Sequence, residues 1–224
     1  MLLTDDSGNT VDYFNRFPEG HNIGLALSGG TDSALLLFLL IEMVYRRKER
    51  VNIYPIHGYD TSRKNTQSWQ AAENVHSWIE SYYLDAWEMK SLNYLKPLEI
   101  FSYEKDGDSK EKYHQPHYRY MKERYDIPFI IRGMSQGMPE ETRPNQDIIQ
   151  DKDLYEMGND PNSWVVMPWA QVDKKFIYHQ YKKYDIMELS KLTVSCIGDP
   201  GPCRKCFWCR ERKWAFGNYD GGLL

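Results

Sequence analysis

Two short stretches hold the residues whose types and spacing can do chemistry. The first contains Cys196, Cys203, Cys206 and Cys209, spaced C-x6-C-x2-C-x2-C. All four cysteines of the chain fall within these 14 consecutive residues, and the preceding 195 residues have none. In a reducing compartment such clustering reads as a metal site rather than a disulfide framework. Thiolates are soft ligands, and four of them satisfy tetrahedral Zn²⁺. Arg204, Lys205, Arg210, Arg212 and Lys213 sit in or just beyond the segment and offset the negative charge of such a centre. Pro200, Gly201 and Pro202 form a tight turn that folds Cys196 back toward the other three. An iron–sulfur cluster also takes four cysteines, and four unrelated buried thiols would need no ion. A DNA-binding finger is disfavoured, because there is no histidine pair and no spacer of the right length.

The second stretch is Ser28 to Ser33, SGGTDS. Two adjacent glycines remove Cβ atoms and let backbone approach a ligand closely. The helix that begins beyond it presents unpaired N–H groups and a positive dipole end. Ser28, Thr31 and Ser33 add hydroxyls, and together these make a phosphate cradle. The pattern is neither GxxxxGK[ST], since no lysine lies inside it, nor GxGxxG. The bland alternative is a tight strand-to-helix turn with Asp32 or Thr31 capping the helix. Elsewhere, Arg132 and Arg143 suit a carboxylate or purine edge, and Lys174 suits phosphate charge. His57, at a strand end, reads as structural before it reads as a base.

These residues need elements to hold them. Ile23–Leu27 reads as a buried strand, residues 34–47 as a helix and Val51–His57 as a second strand. Lys64–Tyr83 is helical, with Ala72, Val75, Ile79 and Tyr82 on one face. Residues 84–110 show no clear period. Glu111–Tyr125 reads as a helix, Pro128–Met134 as a strand, and Trp164–Met167 as a short strand. Asp173 can cap a helix running to Tyr184. Residues 1–20 look like a loose lead-in, and 135–163 like a long polar loop. Strands alternating with helices predict an α/β fold with a doubly wound parallel sheet, whose ligands collect at the C-terminal strand ends.

Composition narrows the class. The 224 residues and 26.5 kDa suit one domain with a small appendage. Against 28 Lys+Arg stand 32 Asp+Glu, for a net charge of −4 and a pI near 5.9. A globally basic nucleic-acid binder is therefore not expected, although a local basic patch is compatible. The longest apolar run, Ala34 to Ile41, is far shorter than the ~20 residues of a bilayer span. Asp5, Asp6 and Asp12 stand where a signal peptide would be basic and then apolar. The expected location is cytoplasmic.

Residues 25–33, LALSGGTDS, resemble the SGGxDS signature of the N-type ATP pyrophosphatases, the PP-loop superfamily. Residues 193–216, TVSCIGDPGPCRKCFWCRERKWAF, resemble the C-terminal signature of the 7-cyano-7-deazaguanine synthase family within it. Thr193, Ser195, the four cysteines, Arg212, Ala215 and Phe216 carry the match, with Arg204 where the family usually has Gly. Pro168 and Lys174 match the family's entry to its last helix. The middle departs: His57-Gly58-Tyr59-Asp60 replaces D-Y-G-Q-x-H, and Pro139–Pro144 reads PEETRP in place of a motif close to Y-P-D-C-R-P.

The resemblance implies an adenine nucleotide alpha hydrolase-like, Rossmann-like sheet that cleaves ATP between its α and β phosphates. It implies nucleotide contacts from Leu27, Ser28, Gly29, Gly30, Thr31, Asp32 and Ser33, with Asp32, Ser33 and Lys174 catalytic and Mg²⁺ on the pyrophosphate. Arg132 and Arg143 are the candidate substrate ligands, and the four cysteines are expected to hold structural zinc. The implied reaction converts 7-carboxy-7-deazaguanine and ammonia to the nitrile through an acyl-adenylate. The alternatives are adenylation of another substrate, as in tRNA thiolation or another amide- or nitrile-forming ligase, and a non-catalytic zinc-bearing adaptor. Thiolation needs a cysteine that carries sulfur, and a zinc centre would leave none. The implied organisation is a lead-in at 1–20, the ATP pyrophosphatase domain at 21–190 and the zinc segment at 191–224. The implied partners are small molecules, with no membrane, no stably bound nucleic acid and, by analogy, a homodimer.

Overall fold

The computed structural model describes residues 2–12, 22–48, 51–61, 67–104, 116–139, 164–198 and 201–220. Its centre is a parallel sheet of β3 (Ile23–Ala26), β4 (Ile53–Asp60), β5 (Glu99–Tyr103), β6 (Ile130–Arg132) and β7 (Val165–Val166), in the spatial order β5-β4-β3-β6-β7. β3 is buried along its whole length, as a continuous apolar run in a sheet covered on both faces should be. From β3 the chain turns to one side for β4 and β5, then returns to β3's other side for β6 and β7. The switch point therefore lies between β3 and β6, where open α/β sheets bind ligands beyond their C-terminal ends. Register puts Ala26 beside Arg132, so the SGGTDS turn and the exit of β6 leave the sheet side by side.

α1 (Thr31–Arg47) runs from that turn through the middle of the molecule, with Ala34 to Ile41 buried. A helix apolar on all sides must be enclosed. α1 lies against β3 and β4 and is flanked by α2 (Gln67–Ala86), α4 (Lys174–Lys183) and α5 (Met187–Lys191). α3 (Pro116–Tyr125) covers the other sheet face with a smaller cluster of Tyr118, Met121, Ile127 and Ile130. α6 (Phe207–Phe216) follows the cysteines and packs on α4. No helix among the described residues is long and apolar enough to cross a membrane.

Three expectations change. The N-terminal residues are not all a loose lead-in: β1 (Leu2–Thr4) and β2 (Thr10–Asp12) form an antiparallel hairpin whose Leu3 and Val11 join the main core. Each strand is only three residues long, too short to show a period. The aperiodic stretch after α2 contains β5, which among the described residues pairs only with β4; its burial alternates, but an exposed position holds Ile100 and a half-buried one holds Glu99, so the residue types show no period. Neither Asp32 nor Thr31 caps α1: the N-cap is Gly30, with no side-chain cap, and Asp32 faces elsewhere. Asp173 does cap α4, accepting from the Phe176 amide at 3.0 Å.

Candidate active site and metal centre

The SGGTDS turn is built around one backbone conformation. Gly29 sits at φ +80°, and a Cβ there would lie 2.4 Å from the Ser68 carbonyl oxygen on α2. Gly30 differs: a Cβ would meet nothing closer than Ser28 Oγ at 3.4 Å, so its open side belongs to the concavity of the turn. The Ser28 and Ser33 hydroxyls lie 3.0 Å apart, and Ser33 Oγ donates to the Gly30 carbonyl at 3.1 Å. Thr31, Asp32 and Ser33 are buried, so the uncapped first turn of α1 sits in a sheltered site.

Into this turn reaches Lys174, the first residue of α4. Its ammonium donates to both carboxylate oxygens of Asp32 at 2.7 Å and lies 3.4 Å from Glu211 Oε2 on α6. Burial alone would lower the Lys174 pKa, but the two carboxylates outweigh it and hold the ammonium above its ordinary value. Ser135 Oγ donates to Asp32 Oδ2 at 3.1 Å, and Trp169 Nε1 donates to the Asp32 carbonyl at 3.2 Å. Tyr181 donates to the Thr31 carbonyl at 2.9 Å. A Cβ on Gly133 would lie 2.6 Å from Asp32 C and Ser33 N, so the exit of β6 passes directly over α1's first turn.

The predicted site residues fall into three groups. Ser28–Ser33 and Lys174 come together at the switch point, with Leu27 entering the turn. Arg132 lies at the same sheet edge but on the α3 face, where its charge reaches His117 and Tyr118. Arg143 lies outside the described residues, as does residue 140 onward of the PEETRP stretch. His57 is structural: its Nδ1–H donates to the Leu27 carbonyl at 2.9 Å, which leaves Nε2 to accept from Ser68 Oγ at 3.4 Å. Burial lowers its pKa. Glu211, Ser135 and Trp169 were not singled out from sequence; Glu211 lies among basic residues, where an acid reads as a surface counter-charge.

The four cysteine sulfurs all lie within 4.8 Å of one another, and Cys203 and Cys209 are 3.9 Å apart. A tetrahedral ion with Zn–S near 2.3 Å needs sulfurs about 3.8 Å apart. A cubane iron–sulfur cluster spreads its thiolates to roughly 6 Å. The donor set thus fits one small ion. Backbone amides of Gly198 and Cys203 donate to Cys196 Sγ at 3.2 Å, which suits thiolate character. Arg212 makes its hydrogen bonds elsewhere, to Thr193 Oγ1 at 2.7 Å and the Ser190 carbonyl at 2.6 Å, and pairs with Asp220 at 3.1 Å, while its charge still reaches Cys209. Asp220 in turn accepts from the amides of Ser195 and Cys196 at 2.9 and 2.8 Å. The centre packs on Ala71 of α2, and Val194 donates its amide to the Gly29 carbonyl at 2.9 Å.

No protein-family model matches the sequence, and no curated protein matches it. Among solved structures the chain is similar to the U34-tRNA thiolase NcsA from Methanococcus maripaludis with its [4Fe-4S] cluster, at a TM-score of 0.45 and 11% identity, covering 89% of this chain and 67% of that one. A likeness at that level says nothing of activity, and the α/β assignment rests on the strand order itself.

Proposed function

We propose that this chain is a PP-loop enzyme that adenylates a carboxylate and releases pyrophosphate. The observation that carries the reading is the SGGTDS turn at the β3/β6 switch point, with the buried Asp32–Lys174 pair against the uncapped start of α1. Backbone amides of the turn and the Lys174 ammonium oppose the charge that builds on departing pyrophosphate. Mg²⁺ arriving with ATP supplies further charge there, and Asp32 is the carboxylate of the turn able to meet it. Ser33 is placed to donate to the same phosphates once its bond to Gly30 exchanges.

The resemblance at residues 193–216 supports a finer reading, in which the acid is 7-carboxy-7-deazaguanine. Its carboxylate attacks the α-phosphorus, and pyrophosphate leaves. Ammonia then displaces AMP to give the amide. A second adenylation of the amide oxygen, with loss of AMP and a proton, gives the nitrile. Arg132 and Arg143 are the proposed ligands of the acid. The partners are small molecules, without a stably bound nucleic acid, in a cytoplasmic homodimer. The four cysteines hold structural zinc, which the sulfur spacing supports over a cluster. Incubation with ATP, Mg²⁺, ammonium and 7-carboxy-7-deazaguanine, followed by mass spectrometry, tests this. AMP, pyrophosphate and a nitrile are expected. AMP with other acids but never this one would leave the adenylating reading and remove the specific one; iron with a visible absorbance band would favour thiolation.

A further inference from the structure

Two contacts tie the cysteine centre to the phosphate turn, and each lies two residues from a thiolate. Val194, two before Cys196, donates its amide to the Gly29 carbonyl at 2.9 Å. Glu211, two after Cys209, places Oε2 at 3.4 Å from Lys174 Nζ, which grips both oxygens of Asp32 at 2.7 Å. The segment carrying Val194 and the helix carrying Glu211 are separate pieces of chain, and the cysteines are what an ion would join. Cys206 is the N-cap of α6 and Cys209 lies in its first turn, so thiolates locate the end of the helix nearest Glu211. Arg212 fixes the helix's rotation through Ser190, Thr193 and Asp220. Glu211 and Lys174 are both buried, so no solvent-exposed slack separates them.

We propose that the cysteine centre and the phosphate turn form one coupled unit, in which an ion on the four thiolates sets nucleotide affinity through Val194 and Glu211, and bound nucleotide tightens the ion in return. Glu211 is a positioning residue: it holds Lys174 from behind, so that the buried ammonium keeps a carboxylate partner when it turns from Asp32 toward phosphate. This rests on the nucleotide reading above. Coupling between two sites is reciprocal, so the same factor must appear in both affinities.

The test uses the full zinc-loaded chain and the non-hydrolysable α,β-methylene analogue of ATP, by calorimetry and by equilibrium competition for zinc with a chromogenic chelator. Zinc removal is expected to weaken analogue binding about tenfold or more, and saturating analogue to raise zinc affinity by the same factor. Glu211→Gln should keep its zinc and lose most of that protection at an analogue concentration that saturates the variant; Glu211→Asp should restore part of it. If the analogue leaves zinc affinity unchanged, the coupling is overturned while nucleotide binding stands; if it protects Glu211→Gln as fully as the parent, the route through Glu211 is overturned. If the loaded chain does not bind the analogue, the nucleotide reading falls and takes this inference with it. Where chelation unfolds the chain, zinc competition with and without the analogue alone decides.

Discussion

Lys174 Nζ stands 2.7 Å from both carboxylate oxygens of Asp32, although 142 residues separate them in sequence. The pair is buried at the start of α1, and Glu211 completes it from the far side. Removing one member of such an assembly leaves the others charged and unpaired in a poorly solvated place.

Lys174→Met therefore leaves two buried carboxylates facing an apolar side chain. It should lose about 3–5 kcal/mol of stability, read by urea denaturation, and all pyrophosphate release. Asp32→Asn should cost less stability, since Glu211 still balances Lys174, and should also abolish release. The folded-state pKa of Lys174 is raised above 10.5, so its stabilisation is complete below that pH and is lost only as pH climbs through the higher folded value. The stability difference between parent and Lys174→Met should thus persist to strongly alkaline pH.

The two glycines of the turn should fail differently. Gly29→Ala forces a side chain into a left-handed conformation and against the Ser68 carbonyl at 2.4 Å, so it should lower thermal stability markedly. Gly30→Val has room within the protein and should fold, yet fill the cradle. Calorimetry should show a folded variant without ATP affinity; normal binding would place the nucleotide elsewhere.

His117 should make the protein sensitive to mild acid. Burial, then the neighbouring His57 and Arg132, push its pKa from 6.5 down to about 3. His57 is lowered by burial as well. The unfolded chain takes up these protons near pH 6.5 and the folded chain does not, so stability falls as pH drops below 6.5. Each histidine contributes up to about 1.4 kcal/mol per pH unit. Urea midpoints between pH 4 and 7 should show this slope, and His117→Gln should flatten it.

Arg132→Ala should raise the KM for the acid substrate about ten- to a hundredfold, the cost of a lost charge-assisted bond. Nucleotide affinity should not change, because Arg132 lies on the α3 face of the sheet with His117 and Tyr118, whereas α1 leaves the turn on the other face. Equal losses in both would place Arg132 at the nucleotide instead.

Elemental analysis should find one zinc per chain, and Cys209→Ser should lose it along with thermal stability, since Cys209 is a buried ligand at the head of α6. About four irons with inorganic sulfide in its place would contradict the sulfur spacing.

The chain's local chemistry was readable in its letters. The apolar runs at Ile23, Val51 and Pro128, separated by helical segments, sufficed for a parallel α/β sheet, because burial on both faces leaves a continuous apolar signature. The tight SGGTDS turn and the gathering of the four cysteines were legible because both depend on neighbours in sequence. What depends on distant segments was not readable. The three-residue strands of the N-terminal hairpin have no periodicity, and edge strand β5 exposes Ile100 while half-burying Glu99, so its alternation in burial has no counterpart in polarity. Asp32 had the composition of a helix cap, and only the arrival of Lys174 and Ser135 across the switch point gave it another partner. Glu211 looked like a surface acid among bases until α6 packed against α4 and buried it. The docking of Val194 on Gly29 likewise involves a backbone amide, which every residue but proline carries and no sequence pattern distinguishes.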